Sequence, residues 1–280
     1  MKIIIHGGFF SESNTDHETK KAKQNALRSI VADAYDFLKN HSAMETVIYA
    51  VEKLENDPLF NAGIGSQIQS DGVIRMSASI MDGKTGKFSG VINIEEVKNP
   101  IRVAEKLFPT DDRVLGGECA TKFARNNGFE IFSTEIPQRR LEYEKKLVSK
   151  GIGTVGCVAL DQYGNLSAAT STGGKGFEVP GRISDSATVA GNYCNEYCGI
   201  SCTGVGEDIV STAIASKIVT RVTDGLEIKV AFEKTFEELK RIDGFAGAIG
   251  IDNKGNIFHQ DSHPSMVYAS FNGEQIKFFG

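Results

Sequence analysis

Thr154 sits in the run GIGTVG, residues 151 to 156, a glycine spacing that fits two different chemistries. The pattern G-x-G-x-x-G cradles a dinucleotide pyrophosphate when a strand precedes it and a helix follows, because the phosphates rest on N–H groups of the helix's first turn. Here the order is reversed. Upstream, PQRRLEYEKKLVSKG is polar and charged, the pattern of a solvated helix or linker. Downstream, TVGCVALDQYGNLSAATST alternates and carries β-branched residues around the turn Tyr163-Gly164-Asn165, which is a β-hairpin signature. A strand supplies no helix dipole, and no acidic residue near position 171 offers itself to a ribose. What remains is a threonine at the boundary between a polar linker and a buried strand.

A threonine hydroxyl attacks poorly unless a base removes its proton, and the usual base is histidine. The five histidines, at 6, 17, 41, 259 and 263, stand in no recognisable nucleophile motif. The threonine's own α-amino group is another base, with a reference pKa of about 7.7 to 8.0 that suits neutral pH. That amine exists at Thr154 only if the Gly153–Thr154 bond is cut. Glycine at 153 can adopt the strained turn that brings the Thr154 hydroxyl onto the preceding carbonyl, permitting an N-to-O acyl shift and hydrolysis.

The elements that would position this threonine can be read from periodicity. KIIIH is a first strand, stopped by Gly7-Gly8, and apolar residues at 26, 27, 30, 31, 34, 37 and 38 predict an amphipathic helix over 19–39. Ser42 and Glu45 form a capping box for a second helix, with Val47, Ile48, Val51 and Leu54 on its buried face, ending at Asp57-Pro58. LFNAGIGS is a glycine-punctuated loop; VIRMSASIMDG and SGVINIEEV are paired strands. Asn99-Pro100 starts a short helix and Asn126-Asn127-Gly128 closes another. After Gly153 come the hairpin over 154–172, a glycine-rich passage to 206, and two helices, EDIVSTAIASKIVTRV and LEIKVAFEKTFEELKRI. A second hairpin, FAGAIGIDNKGNIFHQDS, echoes the first. The pattern predicts an α+β fold with two sheets and helices outside them, in one domain spanning 1–280.

Composition narrows the partners. A net charge of −5 with no basic run of five argues against a nucleic-acid surface. MKIIIHGGFF offers only three apolar residues before His6, and no window approaches the roughly eighteen needed to span a bilayer, which predicts a soluble, cytoplasmic protein without a membrane partner. Cys194, Cys198 and Cys202 are spaced by four, but three thiols lack the fourth ligand of a closed zinc site and no histidine lies near them, so they read as reduced thiols packed as small hydrophobes.

GTVGCVALDQYGNLSAATSTGG, PGRISDSATVAG and SCTGVGED, preceded by LFNAGIGS and SIMDG and beginning at IIHGG, together resemble the plant-type asparaginase and isoaspartyl peptidase family of N-terminal-nucleophile hydrolases. The resemblance implies a four-layer αββα sandwich, made as a precursor that cuts itself between Gly153 and Thr154 into an α subunit (1–153) and a β subunit (154–280). It implies that Thr154 is the nucleophile, that Thr172 bonds near it and assists cleavage, and that Asn61 lies close by. Arg182 and Asp185 match the pair that grips a substrate's α-carboxylate and α-ammonium, Thr203 and Gly204 the oxyanion hole, and Gly206 a carbonyl facing the substrate amine. A head group held at both ends leaves the β-carbonyl over Thr154, so the substrate class implied is asparagine or a β-aspartyl dipeptide, with release of aspartate. The resemblance requires no cofactor. The loop LENDPLFNAGIG resembles one that wraps a structural sodium through the backbone carbonyls of Leu54, Glu55, Asp57, Phe60, Ala62 and Ile64, and reads equally as a plain turn; the resemblance also implies a homo-oligomer, a dimer of processed pairs. Two alternatives stay open: a glycosylasparaginase-type amidase, or an inactive homologue acting as a binding protein. The chain departs from the family pattern at Phe9-Phe10 in HGGFFSE, at Ser184 and Ala187 in RISDSA, at Met76-Ser77, and in a shorter linker before Thr154.

Overall fold

The structure is a computed structural model and describes residues 1–9, 17–145 and 153–279. Phe10, the linker residues 146–150 and the first two residues of GIGTVG lie outside the described residues. The strands are β1 (Lys2–Phe9), β2 (Met76–Asp82), β3 (Lys87–Ile94), β4 (Val114–Gly116), β5 (Val155–Leu160), β6 (Leu166–Thr172), β7 (Asn192–Cys194), β8 (Cys198–Gly204), β9 (Ala246–Asp252), β10 (Ile257–Asp261), β11 (Met266–Phe271) and β12 (Ile276–Phe278). The helices are α1 (His17–Leu38), α2 (Ala43–Glu55), α3 (Pro100–Leu107), α4 (Gly117–Asn126), α5 (Pro137–Glu144), α6 (Gly206–Thr212), α7 (Ile214–Thr223) and α8 (Ile228–Arg241), with a 3₁₀ turn at Asp185–Ala187.

Two sheets form, an eight-stranded one in the order β12-β11-β1-β5-β6-β2-β3-β4 and a four-stranded one in the order β10-β9-β8-β7. Side chains alternate across a strand, so each central strand feeds two layers. On β1, Ile3 and Ile5 pack with α1 to α4 while Ile4 faces the other sheet. On β5, Val155, Cys157 and Ala159 face the helices while Val158 and Leu160 face the other sheet. The small sheet buries Cys198, Ile200 and Cys202 against Ile209, Ile218, Phe232 and Leu239 of α6 to α8. The layers are therefore helix, sheet, sheet, helix, an α+β arrangement. Unbroken apolar runs such as Ile3-Ile4-Ile5 are what a strand covered on both faces needs.

Local signals account for most element ends. Ser42 accepts from the Glu45 N–H and the Glu45 carboxylate accepts from the Ser42 N–H, closing the capping box of α2. Pro100 opens α3, and Gly128 takes a left-handed φ of 83° after α4. The hairpin echo is physical: Asp161 Oδ1 accepts from the N–H groups of Tyr163 and Asn165, and Asp252 Oδ1 accepts from those of Lys254 and Asn256. The two copies end up in different sheets, β5–β6 in the large and β9–β10 in the small.

Two readings need correction. EDIVSTAIASKIVTRV is two helices, because Ala213 adopts a left-handed φ of 49° and separates α6 from α7. The break lets α6 set Gly206 against Arg182 and Asp185 while Ile209 of α6 and Ile214 and Ile218 of α7 all pack on the small sheet. The glycine-rich passage to 206 contains β7, only three residues long, and β8, CGISCTG, whose glycines and small residues carry little strand propensity. The cysteines lie on these strands: Cys194, Cys198 and Cys202 are free and buried, and burial holds all three thiols above their ordinary range.

The layering makes a direct expectation. Ile4 is fully buried between the sheets, so Ile4→Ala is expected to cost about 2 to 5 kcal/mol. Ile242 is half exposed, and Ile242→Ala is expected to stay within about 0.5 kcal/mol of the parent. Urea unfolding midpoints of the two variants check the difference, and equal midpoints would contradict an inter-sheet core at Ile4.

Candidate active site

The layer between the sheets changes character along its length. On β5 the residues facing the small sheet run Leu160, Val158, Gly156, and the next position in that series is Thr154; on β6 they run Leu166, Ala168, Thr170, Thr172; on β1, Ile4 is followed by His6. From the small sheet, β8 contributes Gly199, Ser201 and Thr203 to the same layer. The apolar layer thus grades into hydroxyls and an imidazole at one end, and Thr154 lies there.

Thr154 is 6% exposed, and its hydroxyl donates to Thr172 Oγ1 at 3.1 Å. The Gly174 N–H donates to the same oxygen at 3.2 Å. Asn61 ties the surrounding segments together. Its N–H donates to the Gly153 carbonyl at 3.3 Å, its carbonyl accepts from the Gly173 N–H at 2.9 Å, its amide donates to the Gly174 carbonyl at 2.6 Å, and its amide oxygen accepts from the Gln67 N–H at 2.9 Å. Gly153 is packed so closely on Asn61 that an added Cβ would come within 2.6 Å of the Asn61 Cβ.

Arg182 and Asp185 lie together against Gly206, where an added Cβ would stand 2.7 Å from both Arg182 Nη2 and Asp185 Oδ1. Burial pushes the Asp185 carboxyl up to about 6, against the pull of Arg182 and a bond from the Ser184 hydroxyl. Ser184, one of the departures, therefore adds a donor to Asp185. Arg182 Nε and Nη2 donate to the two carboxylate oxygens of Glu207 at 2.7 and 3.0 Å. This fork, together with Lys175 at 3.2 Å, holds the Glu207 carboxyl down at about 2. Glu207 was not singled out in the sequence, although its place directly after Gly206 was the available signal.

Thr203 and Gly204 end β8, and Gly204 has φ 137° with an added Cβ overlapping the Phe245 carbonyl, a backbone only glycine fits. Asp185 Oδ2, Thr203 Oγ1 and Glu178 Oε2 are buried without hydrogen-bond partners among the described residues. Such atoms are rare in folded chains, and the first two belong to the substrate-gripping and oxyanion sets expected above. Phe9 stays out of the site: it is 4% exposed and packs on Phe245 at 4.6 Å between the sheets.

The loop after α2 fits a hard monovalent cation in its donor chemistry. It bends back so that the Ile64 N–H meets the Glu55 carbonyl at 2.7 Å. Gly63 and Gly65 take left-handed φ values of 54° and 92°, and an added Cβ at Gly65 would come within 2.9 Å of the carbonyls of Pro58 and Phe60. Carbonyl oxygens crowded on side-chain-free turns suit such an ion, and no cluster of three acidic, His or Cys side chains suited to a metal occurs among the described residues. No helix among them is long and apolar enough to cross a membrane.

His6 was set aside in the sequence and proves to be buried against Thr154, with Nδ1 3.1 Å from the Thr154 carbonyl oxygen. Its sequence signals were its place in the IIHGG motif and its position in phase with Ile4 on β1.

The family profile described as Asparaginase matches residues 1–147 and 132–280. The chain is 42% identical over 296 residues, covering 98% of this chain and 93% of the relative, to an isoaspartyl peptidase/L-asparaginase of Nostoc sp.. It is 36% identical to a plant-type L-asparaginase of Pyrococcus abyssi, over 96% of this chain and 95% of the relative. Against an isoaspartyl peptidase of Escherichia coli it is 36% identical, over 91% of this chain and 88% of the relative. With the profile and the relatives spanning its length, this chain belongs to the asparaginase family.

Proposed function

We propose that this protein is a self-processing threonine amidohydrolase that releases aspartate from asparagine, from β-aspartyl dipeptides, or from both. The observation that carries the reading is the buried Thr154 hydroxyl donating to Thr172 at the head of β5, directly after a Gly153 carbonyl that already accepts the Asn61 N–H. A hydroxyl held by its proton keeps its lone pairs free for attack.

In processing, Thr154 Oγ1 adds to the Gly153 carbonyl carbon. The Asn61 N–H supports the negative charge that develops on the Gly153 oxygen. The carbon–nitrogen bond then breaks, the nitrogen takes the hydroxyl's proton, and an ester links Gly153 to Thr154. Water hydrolyses that ester, leaving a Gly153 carboxylate, a free Thr154 hydroxyl and the α-amine that serves as base.

In turnover, the substrate α-ammonium meets Asp185 Oδ2, and the α-carboxylate meets the edge of Arg182 that Glu207 does not occupy. Thr154 Oγ1 adds to the β-carbonyl and its proton passes to the α-amine. The Thr203 hydroxyl and the Gly204 N–H receive the oxyanion. The proton then goes to the departing ammonia or amine, and water resolves the β-aspartyl ester. A sodium ion would be held by the carbonyls of Leu54, Glu55, Asp57, Phe60, Ala62 and Ile64, where it would brace the loop that carries Asn61.

Denaturing mass spectrometry tests the first step. Purified protein is expected as two pieces, with the smaller beginning at Thr154, and Thr154→Ala as one. A different new N-terminus, or full activity from an uncut chain, overturns the reading.

Substrate orientation gives a second expectation. An α-aspartyl dipeptide has spent its α-carboxylate in the peptide bond and would leave the second edge of Arg182 without an acceptor while Glu207 keeps the first edge paired, a loss of about 1.5 to 3 kcal/mol for a hydrogen bond to a charged group. Aspartate release is therefore expected from β-Asp-Leu and not from α-Asp-Leu; comparable turnover of both sinks the pose.

The third expectation follows from the raised Asp185 carboxyl. Below about pH 6 it gains a proton and no longer offers a charge to the substrate ammonium. KM for asparagine is expected to rise as pH falls through that value, and Asp185→Asn to raise KM and abolish this limb. A KM that stays level from pH 7 down to 5 contradicts the assignment.

A further inference from the structure

The reaction proposed above uses no histidine, yet the chain buries one completely against its nucleophile. His6 is 0% exposed; Nδ1 lies 3.1 Å from the Thr154 carbonyl oxygen and Nε2 lies 2.9 Å from Ser201 Oγ. Ser201 Oγ lies 2.6 Å from Thr170 Oγ1, and both hydroxyl residues are fully buried. Burial also drives the imidazole pKa down to about 3, so the ring is neutral at physiological pH.

The direction of every bond in this chain then follows. A carbonyl oxygen can only accept, so the single ring proton sits on Nδ1. Nε2 is left as an acceptor, which makes Ser201 the donor to it. Ser201 has then committed its proton, so Thr170 donates to Ser201. The order Thr170 to Ser201 to His6 to the Thr154 carbonyl has no reversible link, because the other tautomer would set two lone pairs against each other. Space for it is reserved by Gly156, opposite His6 on β5, where an added Cβ would overlap both Ser201 Oγ and His6 Nε2.

The ladder shows why Thr154 needs such a hold. The last β1–β5 pair is His6 with Gly156, and the last β5–β6 pair is Val155 with Ser171. Thr154 lies beyond both. Once its N-terminal bond is cut it is a chain end, and chain ends are poorly ordered unless tied down. Its carbonyl survives the cut.

Resting on the reading of Thr154 as nucleophile, we infer that His6 is a positioning residue for the reaction, fixed in one tautomer by the Thr170–Ser201 hydroxyl pair and holding the Thr154 carbonyl so that the hydroxyl and the new amine keep their orientation. His6 does not touch the reacting atoms. Its loss acts on the chemical step and leaves substrate affinity alone, since Arg182 and Asp185 are untouched.

The test has two parts. In protein labelled with ¹⁵N-histidine, NMR is expected to show one imidazole protonated at Nδ1 and bare at Nε2 across the neutral pH range, and this signal is expected to disappear in His6→Asn. In kinetics normalised to the processed fraction, His6→Leu is expected to lower kcat by on the order of 10- to 100-fold, the scale of a nucleophile misplaced by about 1 Å, with KM within about twofold. His6→Asn, whose amide can donate to the same carbonyl, is expected to recover part of kcat, and Ser201→Ala to fall between. An Nε2-protonated ring, or a kcat unchanged in both His6→Leu and Ser201→Ala, overturns the inference; should His6→Leu not fold, His6→Asn, Ser201→Ala and the spectrum decide it. Thr154→Ala separates the two claims. Activity retained there sinks the nucleophile and the inference with it, whereas activity lost there with His6 variants at wild-type kcat sinks the inference alone.

Discussion

The bond between His6 and Ser201 crosses from the large sheet to the small one, and the geometry of the candidate site depends on that crossing. Facing sheets ordinarily stand about 10 Å apart, filled by interdigitating side chains. At Gly156 there is no side chain to fill the gap, so an imidazole from β1 and a hydroxyl from β8 meet directly. This fixes β8 relative to β5, and with it Thr203 and Gly204 relative to Thr154. A single methyl group at 156 would collide with Ser201 Oγ and His6 Nε2 and push β8, with Thr203 and Gly204, away from Thr154.

The polar end of the layer is stable only in so far as its groups find partners, since a buried polar atom without one costs about 1 to 3 kcal/mol. Most are satisfied locally: Asn61 uses its backbone and both side-chain groups, and His6 uses both ring nitrogens. Among the described residues, two of the five exceptions, Asp185 Oδ2 and Thr203 Oγ1, are one carboxylate oxygen and one hydroxyl, which suit an ammonium and a developing oxyanion respectively. The apolar end of the same layer, with Ile4, Val158, Leu160 and Leu166, offsets those losses through hydrophobic burial. Glu178 is a third exception, in a position where nothing in the mechanism requires a carboxylate.

Much of the fold was legible because local chemistry and periodicity agreed. The Ser42–Glu45 box, Pro100, the two Asp-x-x-Gly-Asn turns and the alternation in β5 and β6 each specify their element without help from afar. β7 and β8 were missed because their small residues signal packing against a second sheet, which only tertiary structure supplies. Motifs named Thr154, Thr172, Arg182, Asp185 and Thr203 as candidates, and the fold brings Thr154 beside Thr172 and Arg182 beside Asp185. The site was opaque at His6 and Glu207. Both lie inside motifs, IIHGG and SCTGVGED, but His6 meets Thr154 across 148 residues and Glu207 meets Arg182 across 25, so the local run does not show the partner.

The break at Ala213 bears on the remaining piece of geometry. An alanine in the left-handed region costs about 1 to 2 kcal/mol, so the chain gains something by ending α6 after seven residues. Freed from α7, α6 can follow its own anchors: the Val205 N–H on the Phe245 carbonyl, and Asp208 Oδ2 on the Phe245 N–H. These set the direction of its first turn, where Gly206 leaves room for Arg182 and Asp185 and Glu207 reaches the Nε–Nη2 edge of Arg182. A guanidinium forked by one carboxylate has a fixed plane, and its second edge then points in one direction only. Glu207 is half exposed, so it holds Arg182 by geometry more than by energy, and the plane it selects turns a flexible cation beside Asp185 into a directed one.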